Sequence, residues 1–94
     1  MLSPKTNGPG RAGVEKSAFS DEYAVFLRLL RQARTAAGVT QEELAERIGN
    51  TQSFVSKCER GERRLDFVEA RAFCEAIGIS FSKFARDFEQ SSGR

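Results

Sequence analysis

Apolar side chains recur at helical spacing in five stretches of the chain, and each stretch is separated from the next by turn residues. The five predicted helices lie at about 20–37, 41–48, 52–60, 66–77 and 80–90. Glycines at the ends of the first four favour the left-handed backbone that closes a helix, as Gly38 does for the first. The pattern therefore predicts an all-α fold.

Capping residues mark where the predicted helices begin. Thr40 and Glu43 have the spacing of a capping box, in which each residue satisfies the other's backbone N–H, and Asp66 and Glu69 repeat it. Single N-caps are expected for the other three helices, at Ser20, Thr51 and Ser80.

The first 18 residues lack this apolar period and contain both prolines. Such a segment cannot bury enough surface to offset the entropy of ordering it, so 1–18 are predicted to be a flexible N-terminal arm. Its basic residues, Lys5, Arg11 and Lys16, either reach DNA phosphates or the minor groove, or belong to an uninvolved tail. Residues 19–90 then form one domain, and 91–94 form a polar tail.

Composition narrows the class of protein. A chain of 94 residues with 39% apolar residues suits one small domain. It has no apolar run near the roughly 20 residues that cross a bilayer, and no signal-peptide core near its start. We therefore expect a cytoplasmic protein with no membrane partner.

The sequence offers few residues for metal binding or catalysis. There is no histidine, and Cys58 and Cys74 are too far apart for a zinc or redox motif, so no metal, cofactor or enzyme activity is expected. Both cysteines occupy apolar helical positions, which favours small buried side chains. The net charge is only +2, but the segment 52–64 carries four basic residues against two acidic ones.

That positive segment follows a tight turn between two short helices, and 40–64 has the outline of a helix-turn-helix. In this motif one helix rests across a DNA backbone while the next enters the major groove. If Val55 and Cys58 face inward, the opposite side of the second helix carries side chains suited to base edges or phosphates. These candidate base contacts are Gln52, Ser53, Ser56 and Lys57.

Three further aromatic or basic features are candidates for contacts with DNA or with a partner subunit. Phe54 either packs at the edge of the core or contacts a thymine methyl or a partner subunit. Arg63 and Arg64 are candidates for phosphate binding in the loop after the second helix of the motif. The last helix is more apolar than a final helix requires, which predicts a subunit interface at Phe81, Phe84 and Phe88.

Four segments taken together resemble the phage-repressor-like, XRE-type helix-turn-helix family. They are LLRQAR, GVTQEELA, the spaced motif S-x-x-E-R-G, and AIGIS, within a similarity that runs from about Leu27 to Phe84. The resemblance implies a compact five-helix, lambda-repressor-like DNA-binding domain. Asn50 and Cys58 depart from it, since the family usually has aliphatic residues there.

The resemblance also implies roles for individual residues. Gln41 would contact phosphate and brace Gln52, while Gln52, Ser53 and Lys57 would contact bases. Arg60, with the loop through Arg63 and Arg64, resembles the family's phosphate-binding segment. Arg34 and Glu59 match a buried ion pair of the family; the alternative is two unrelated surface charges.

Two functions follow as hypotheses. The first is a sequence-specific transcriptional regulator of repressor type that binds double-stranded DNA at a near-palindromic operator as a homodimer. The second is an antitoxin or interaction adaptor that uses the same fold to hold a protein partner. Selection of bound DNA and measurement of oligomeric state would distinguish them.

Overall fold

The structure is a computed structural model that describes residues 12–91, with side chains from residue 21 onward. Within that range it contains five helices and no strands, which confirms the all-α prediction. The helices are α1 (Ala12–Ala36), α2 (Gln41–Ile48), α3 (Gln52–Glu59), α4 (Phe67–Ile77) and α5 (Phe81–Ser91).

Both predicted capping boxes are present. The Thr40 hydroxyl accepts from the Glu43 backbone N–H at 3.0 Å, and the Glu43 carboxylate accepts from the Thr40 N–H at 2.9 Å. Asp66 and Glu69 make the equivalent pair of bonds at the start of α4. These local hydrogen bonds satisfy N–H groups that a helix leaves without partners at its first turn, which explains why the starts of α2 and α4 were readable from the sequence.

The start of α1 differs from the prediction. This helix begins at Ala12, so Ser20 lies inside it rather than at its N-cap, and residues 12–18 of the predicted arm have helical backbone. No proline interrupts 12–20, and extending an existing helix adds one hydrogen bond per residue fixed. Residues 1–11 of the arm and 92–94 of the tail lie outside the described residues.

The core lies between the α2–α3 pair, α1 and α4, and α5 packs on α1 and α4. Its fully buried members include Leu30, Leu44, Val55 and Phe73 together with both cysteines, as the sequence predicted for Cys58 and Cys74. The cysteine thiols are free, with no disulfide between them.

Phe67 is an exception to the predicted pattern. Helical spacing with Ala70, Phe73 and Ile77 predicts Phe67 on the apolar side of α4, yet its side chain is 74% exposed. Phe67 is the first residue of α4, and its ring makes an edge-to-face contact with Phe81, with 5.0 Å between centroids. Helical spacing predicts which face of a helix a residue lies on, but it does not show how much of that face other helices cover.

Candidate nucleic-acid interface

The exposed side of α3 is polar and lies directly over the core. Val55 and Cys58 are 0% exposed and anchor the inner side of the helix, while α2 and α1 pack against it. Gln52, Ser53 and Lys57 are exposed on the outer side, as predicted. Because the inner side of α3 is packed in the core, its outer side chains can enter a nucleic-acid groove without a change in the position of the helix.

Ser56 occupies a different setting from the other three predicted base contacts. It is half-buried, and its hydroxyl accepts a hydrogen bond from Arg60. Arg60 in turn forms an ion pair with Glu62, with a Nε–Oε2 distance of 2.9 Å. The structure therefore connects Ser56 to the loop after α3.

A chain of hydrogen bonds runs from the core to the exposed face of α3. Arg34 is 8% exposed and donates to both carboxylate oxygens of Glu59, at 2.6 and 3.0 Å, and to the carbonyl of Val39 at 2.8 Å. Gln41 donates to Glu59 at 2.8 Å, and Gln52 donates to Gln41 at 2.6 Å. The ion pair and the Gln41–Gln52 contact implied by the resemblance are both present in the geometry.

The loop after α3 holds its arginines against acidic and aromatic partners. Arg63 donates to Glu69 at 2.8 Å and lies over the ring of Phe54, 4.9 Å from its centroid. Phe54 also contacts Phe73 of the core at 6.4 Å between centroids, which favours the packing interpretation of this residue. Arg63 also donates to the carbonyl of Arg64 at 2.7 Å, so contacts within the chain already engage its guanidinium.

Arg64 and Tyr23 form a second cation–aromatic contact. The guanidinium carbon of Arg64 lies 4.0 Å from the centre of the Tyr23 ring, and the Tyr23 hydroxyl accepts from the backbone of Leu65 at 2.9 Å. Helical spacing places Tyr23 on the apolar face of α1 but does not indicate its contacts with Arg64 and Leu65, which lie more than 40 residues away in the chain.

These contacts shift the pKa values of the charged groups involved. The hydrogen bond from Arg63, assisted by one from the Asp66 backbone, lowers the pKa of Glu69. The hydrogen bond from Arg60 and its charge likewise lower the pKa of Glu62, and the reciprocal interactions raise the pKa values of Arg60 and Arg63. The basic loop is therefore electrostatically paired in the free protein.

Helix α5 does not present all three of its predicted interface phenylalanines. Phe84 is 6% exposed and belongs to the chain's own core, so it offers little surface to another subunit. Phe81 and Phe88 are half-buried and line an apolar groove of about 380 Å³ between α1, α4 and α5. The exposed Phe67 stands on the same groove.

A helix-turn-helix family model, HTH_3, matches residues 30–84, which include α2, α3 and α4 in full. The chain belongs to this XRE-type helix-turn-helix family. Its members are DNA-binding regulators and not enzymes. Within residues 12–91, no helix is long and apolar enough to span a membrane.

Two relatives and one solved structure are similar to this chain. An uncharacterized HTH-type transcriptional regulator of Methanothermobacter thermautotrophicus is 38% identical over 50 residues, which are 53% of this chain and 72% of the relative. An uncharacterized transcriptional regulator in the ATPase CF(0) region of Rhodospirillum rubrum is 34% identical over 65 residues, 69% of this chain and 60% of the relative. An XRE-family like protein from Pseudomonas syringae pv. tomato is 44% identical, with a TM-score of 0.80 over 85% of this chain and 98% of that one.

Proposed function

We propose that this helix-turn-helix domain is a sequence-specific transcriptional regulator of repressor type that binds a near-palindromic DNA operator as a homodimer. The observation that carries the proposal is the exposed face of α3, on which Gln52, Ser53 and Lys57 lie side by side over a fully buried inner face. In a helix-turn-helix this face enters the major groove. The compartment that goes with this function in a prokaryotic cell is the cytoplasm.

Four side chains of α3 are proposed to contact bases, and Ser56 differs from the other three. Gln52 can pair with adenine, Lys57 with guanine, and Ser53 with either base or with a phosphate. Ser56 is proposed as a weaker base contact, because its hydroxyl must share or release the hydrogen bond from Arg60.

The proposed phosphate contacts lie on both sides of this face. Gln41 begins α2, whose N-terminus favours negative charge, while Arg60, Arg63 and Arg64 follow α3. Because Arg60 and Arg63 pair with Glu62 and Glu69 in the free protein, phosphates must compete with these carboxylates. The guanidinium of Arg64 lies over the ring of Tyr23.

Selection of bound duplexes from a random DNA pool tests the proposal. We expect enrichment of one motif, arranged as two inverted half-sites about one helical turn apart, roughly 34 Å. No enriched motif at moderate salt would contradict sequence-specific binding.

Two alanine variants separate base reading from phosphate anchoring. Lys57→Ala should cost about 1–3 kcal/mol on the selected site and relax preference at one base pair. Arg64→Ala should weaken all sequences alike and lower the slope of log affinity against log salt by about one unit. An unchanged selected motif for Lys57→Ala would contradict its assignment as a base contact.

The proposed dimer uses the apolar groove between α1, α4 and α5, with a second copy of the chain as its occupant. Phe67 and its neighbour Val68 are 74% and 66% exposed, beside a groove lined by Phe81 and Phe88. Phe67 protrudes beside this groove, so it can insert into the groove of a second copy related by two-fold symmetry. The Phe67 of that copy then inserts into the groove of the first. The predicted interface thus keeps Phe81 and Phe88 and adds Phe67, while Phe84 forms part of the floor.

Size measurement with Phe88→Asp tests this interface. The charged side chain should convert the dimer to a monomer and weaken operator binding, whereas Gln90→Asp, an equal charge change at an exposed position of α5, should leave the dimer intact. A Phe88→Asp variant that stays dimeric would place the dimer contact elsewhere. A wild-type chain that is monomeric on its operator would favour the adaptor or antitoxin alternative, in which the groove holds a different protein.

A further inference from the structure

Two of the arginines proposed to bind phosphate already bind carboxylates of the same chain. Arg60 donates to Glu62 through Nε at 2.9 Å and through Nη2 at 3.2 Å, and Arg63 donates to Glu69 through Nη1 at 2.8 Å. Carboxylate and phosphate oxygens accept from a guanidinium in the same way, often in pairs on one edge of the group. The two carboxylates therefore lie where phosphates would bind.

The guanidinium of Arg60 has an acceptor at each of its three nitrogens. Nε and Nη2 donate to the two oxygens of Glu62, and Nη1 donates to the hydroxyl of Ser56. A guanidinium has five N–H groups, so only two are left for a new acceptor. Glu62 must leave before a phosphate can bind Arg60 on the edge formed by Nε and Nη2.

Arg63 is held by a carboxylate that is itself fixed in place. The same oxygen of Glu69, Oε1, accepts from Arg63 and from the backbone N–H of Asp66 at 2.9 Å, as part of the capping box of α4. This second bond keeps Glu69 at the start of α4 whether or not Arg63 is bound to it. A phosphate that takes Arg63 must therefore displace a carboxylate that stays nearby.

The strength of these pairs decides what they can do. Both carboxylates are ionised at neutral pH, since the hydrogen bonds from Arg60 and Arg63 lower the pKa values of Glu62 and Glu69. All four side chains are partly open to solvent, from 32% for Glu69 to 55% for Glu62. Exposed pairs of this kind change an equilibrium constant by about 1.5- to 5-fold each. They can weaken DNA binding but cannot prevent it.

We propose that the carboxylates of Glu62 and Glu69 occupy, in the free protein, the arginine nitrogens that bind phosphate in the complex, and so lower the affinity for duplex DNA of any sequence. The chain then contains an autoinhibitory contact in each half of its basic loop. This inference rests on the proposed function, since it requires Arg60 and Arg63 to contact phosphates.

Glu69→Gln tests the proposal on a labelled duplex of arbitrary sequence. Glutamine can still complete the capping box, so the fold is kept while the charge that holds Arg63 is removed. The variant should bind the duplex about 2- to 5-fold more tightly than the wild type. DNA selected from a random pool should show the same motif for both proteins, because phosphates carry no sequence information.

Asp87→Asn is the matched control. It removes one negative charge and breaks the ion pair with Lys83, but it lies on α5, which packs on α1 and α4 rather than on α3. Salt screens charges that are far from the DNA, so this variant should change the affinity by less than about 1.5-fold at moderate salt. An equal gain in Asp87→Asn and Glu69→Gln would overturn the proposal, because net charge alone would then explain both.

Arg63→Ala separates release of the arginine from loss of a nearby negative charge. If Glu69 acts by holding Arg63, the gain from Glu69→Gln should be at least about 2-fold smaller when Arg63 is already alanine. If Glu69 acts by repelling phosphates, the gain should be the same or larger in that background, and the proposal fails.

The second pair gives an independent cycle. Glu62→Gln should also tighten binding, and this gain should shrink in an Arg60→Ala background for the same reason. The two glutamine variants combined should bind about 4- to 25-fold more tightly than the wild type, because they release different arginines.

The sign of the effect excludes a purely structural role. Carboxylates that only held the loop in place would, when removed, leave DNA binding unchanged or weaker. Tighter binding by a less stable protein is expected only if they compete with DNA. If neither the wild type nor the combined variant binds any duplex, the proposed function fails and takes this inference with it. If the wild type binds and the glutamine variants bind no more tightly, DNA binding stands and the autoinhibitory contact is excluded.

Discussion

The hydroxyl of Tyr23 accepts a hydrogen bond from the backbone N–H of Leu65 at 2.9 Å, across 42 residues of sequence. This bond fastens α1 to the loop that leads from α3 to α4. Arg64, the residue before Leu65, stacks on the ring of the same tyrosine. The placement of the basic loop beside α3 therefore depends on a side chain of α1.

Replacing Tyr23 with phenylalanine should destabilise the fold. The ring and its contact with Arg64 remain, but the partly buried N–H of Leu65 loses its acceptor, which costs about 1–2 kcal/mol. Urea unfolding of both proteins gives the difference. Tyr23→Leu, which also removes the stacking surface for Arg64, should lose more, and equal unfolding midpoints for wild type and Tyr23→Phe would show that the hydrogen bond contributes nothing.

The buried ion pair predicts strong coupling between two distant substitutions. Arg34→Met should lower the free energy of unfolding by about 3–5 kcal/mol, because it leaves Glu59 buried without its counter-charge. Arg34→Met combined with Glu59→Leu should cost less than the sum of the two single changes, since neither charge is then left alone. A double-mutant cycle from urea unfolding measures this coupling, and strictly additive losses would argue against an energetically significant pair.

Acid should weaken the link between the basic loop and α4. The pKa of Glu69 is lowered from the usual value of 4.5 by the hydrogen bond from Arg63 and then by the backbone bond from Asp66. A carboxyl group whose pKa is lower in the folded state stabilises the protein above the unfolded pKa, and this contribution is lost as the pH falls through the folded pKa. The stability that Glu69 contributes is therefore lost at acidic pH, from about 4.5 downward.

Glu69→Gln isolates this contribution, because glutamine can still complete the capping box. The stability difference between wild type and Glu69→Gln should be larger at neutral pH than well below 4.5, as urea midpoints at the two pH values would show. A Glu69→Gln difference independent of pH would contradict the assignment.

Both cysteines should be unreactive in the native protein. Burial raises the pKa of Cys74 to about 11, with a further contribution from Glu75, and burial likewise raises the pKa of Cys58. Iodoacetamide at neutral pH should modify neither thiol in the native chain and both in urea, as the mass of the product would report. Rapid labelling without urea would mean that the core opens on the labelling timescale.

The thiol of Cys74 predicts that the stability of the fold decreases at alkaline pH. Because the pKa of Cys74 is higher in the folded state than the ordinary 9.0, its contribution to stability is complete below 9.0 and is lost as the pH rises toward about 11. Cys74→Ala should therefore lose less stability than the wild type between neutral pH and that range. An identical alkaline decline in the two proteins would exclude a contribution from this group.

The sequence by itself determined the helical class, four of the five helix starts and the helix-turn-helix. These features rest on interactions between residues three or four positions apart, such as Thr40 with Glu43, and on glycines that close helices, so local sequence contains the needed information. It also identified the exposed face of α3, because Val55 and Cys58 fix the opposite side as buried.

Tertiary structure decided which side chains are already engaged and which surface remains. Arg63 of the loop is paired with Glu69. Phe84 is turned into the core and Phe67 is left exposed, although both phenylalanines fit the apolar patterns of their helices. Tyr23 accepts a hydrogen bond from the distant Leu65, and Gln52 donates one to Gln41, which in turn donates to Glu59. The physical reason is that packing and hydrogen-bond partners come from segments far apart in the chain, and their meeting is set by how the helices cross rather than by any spacing within one of them.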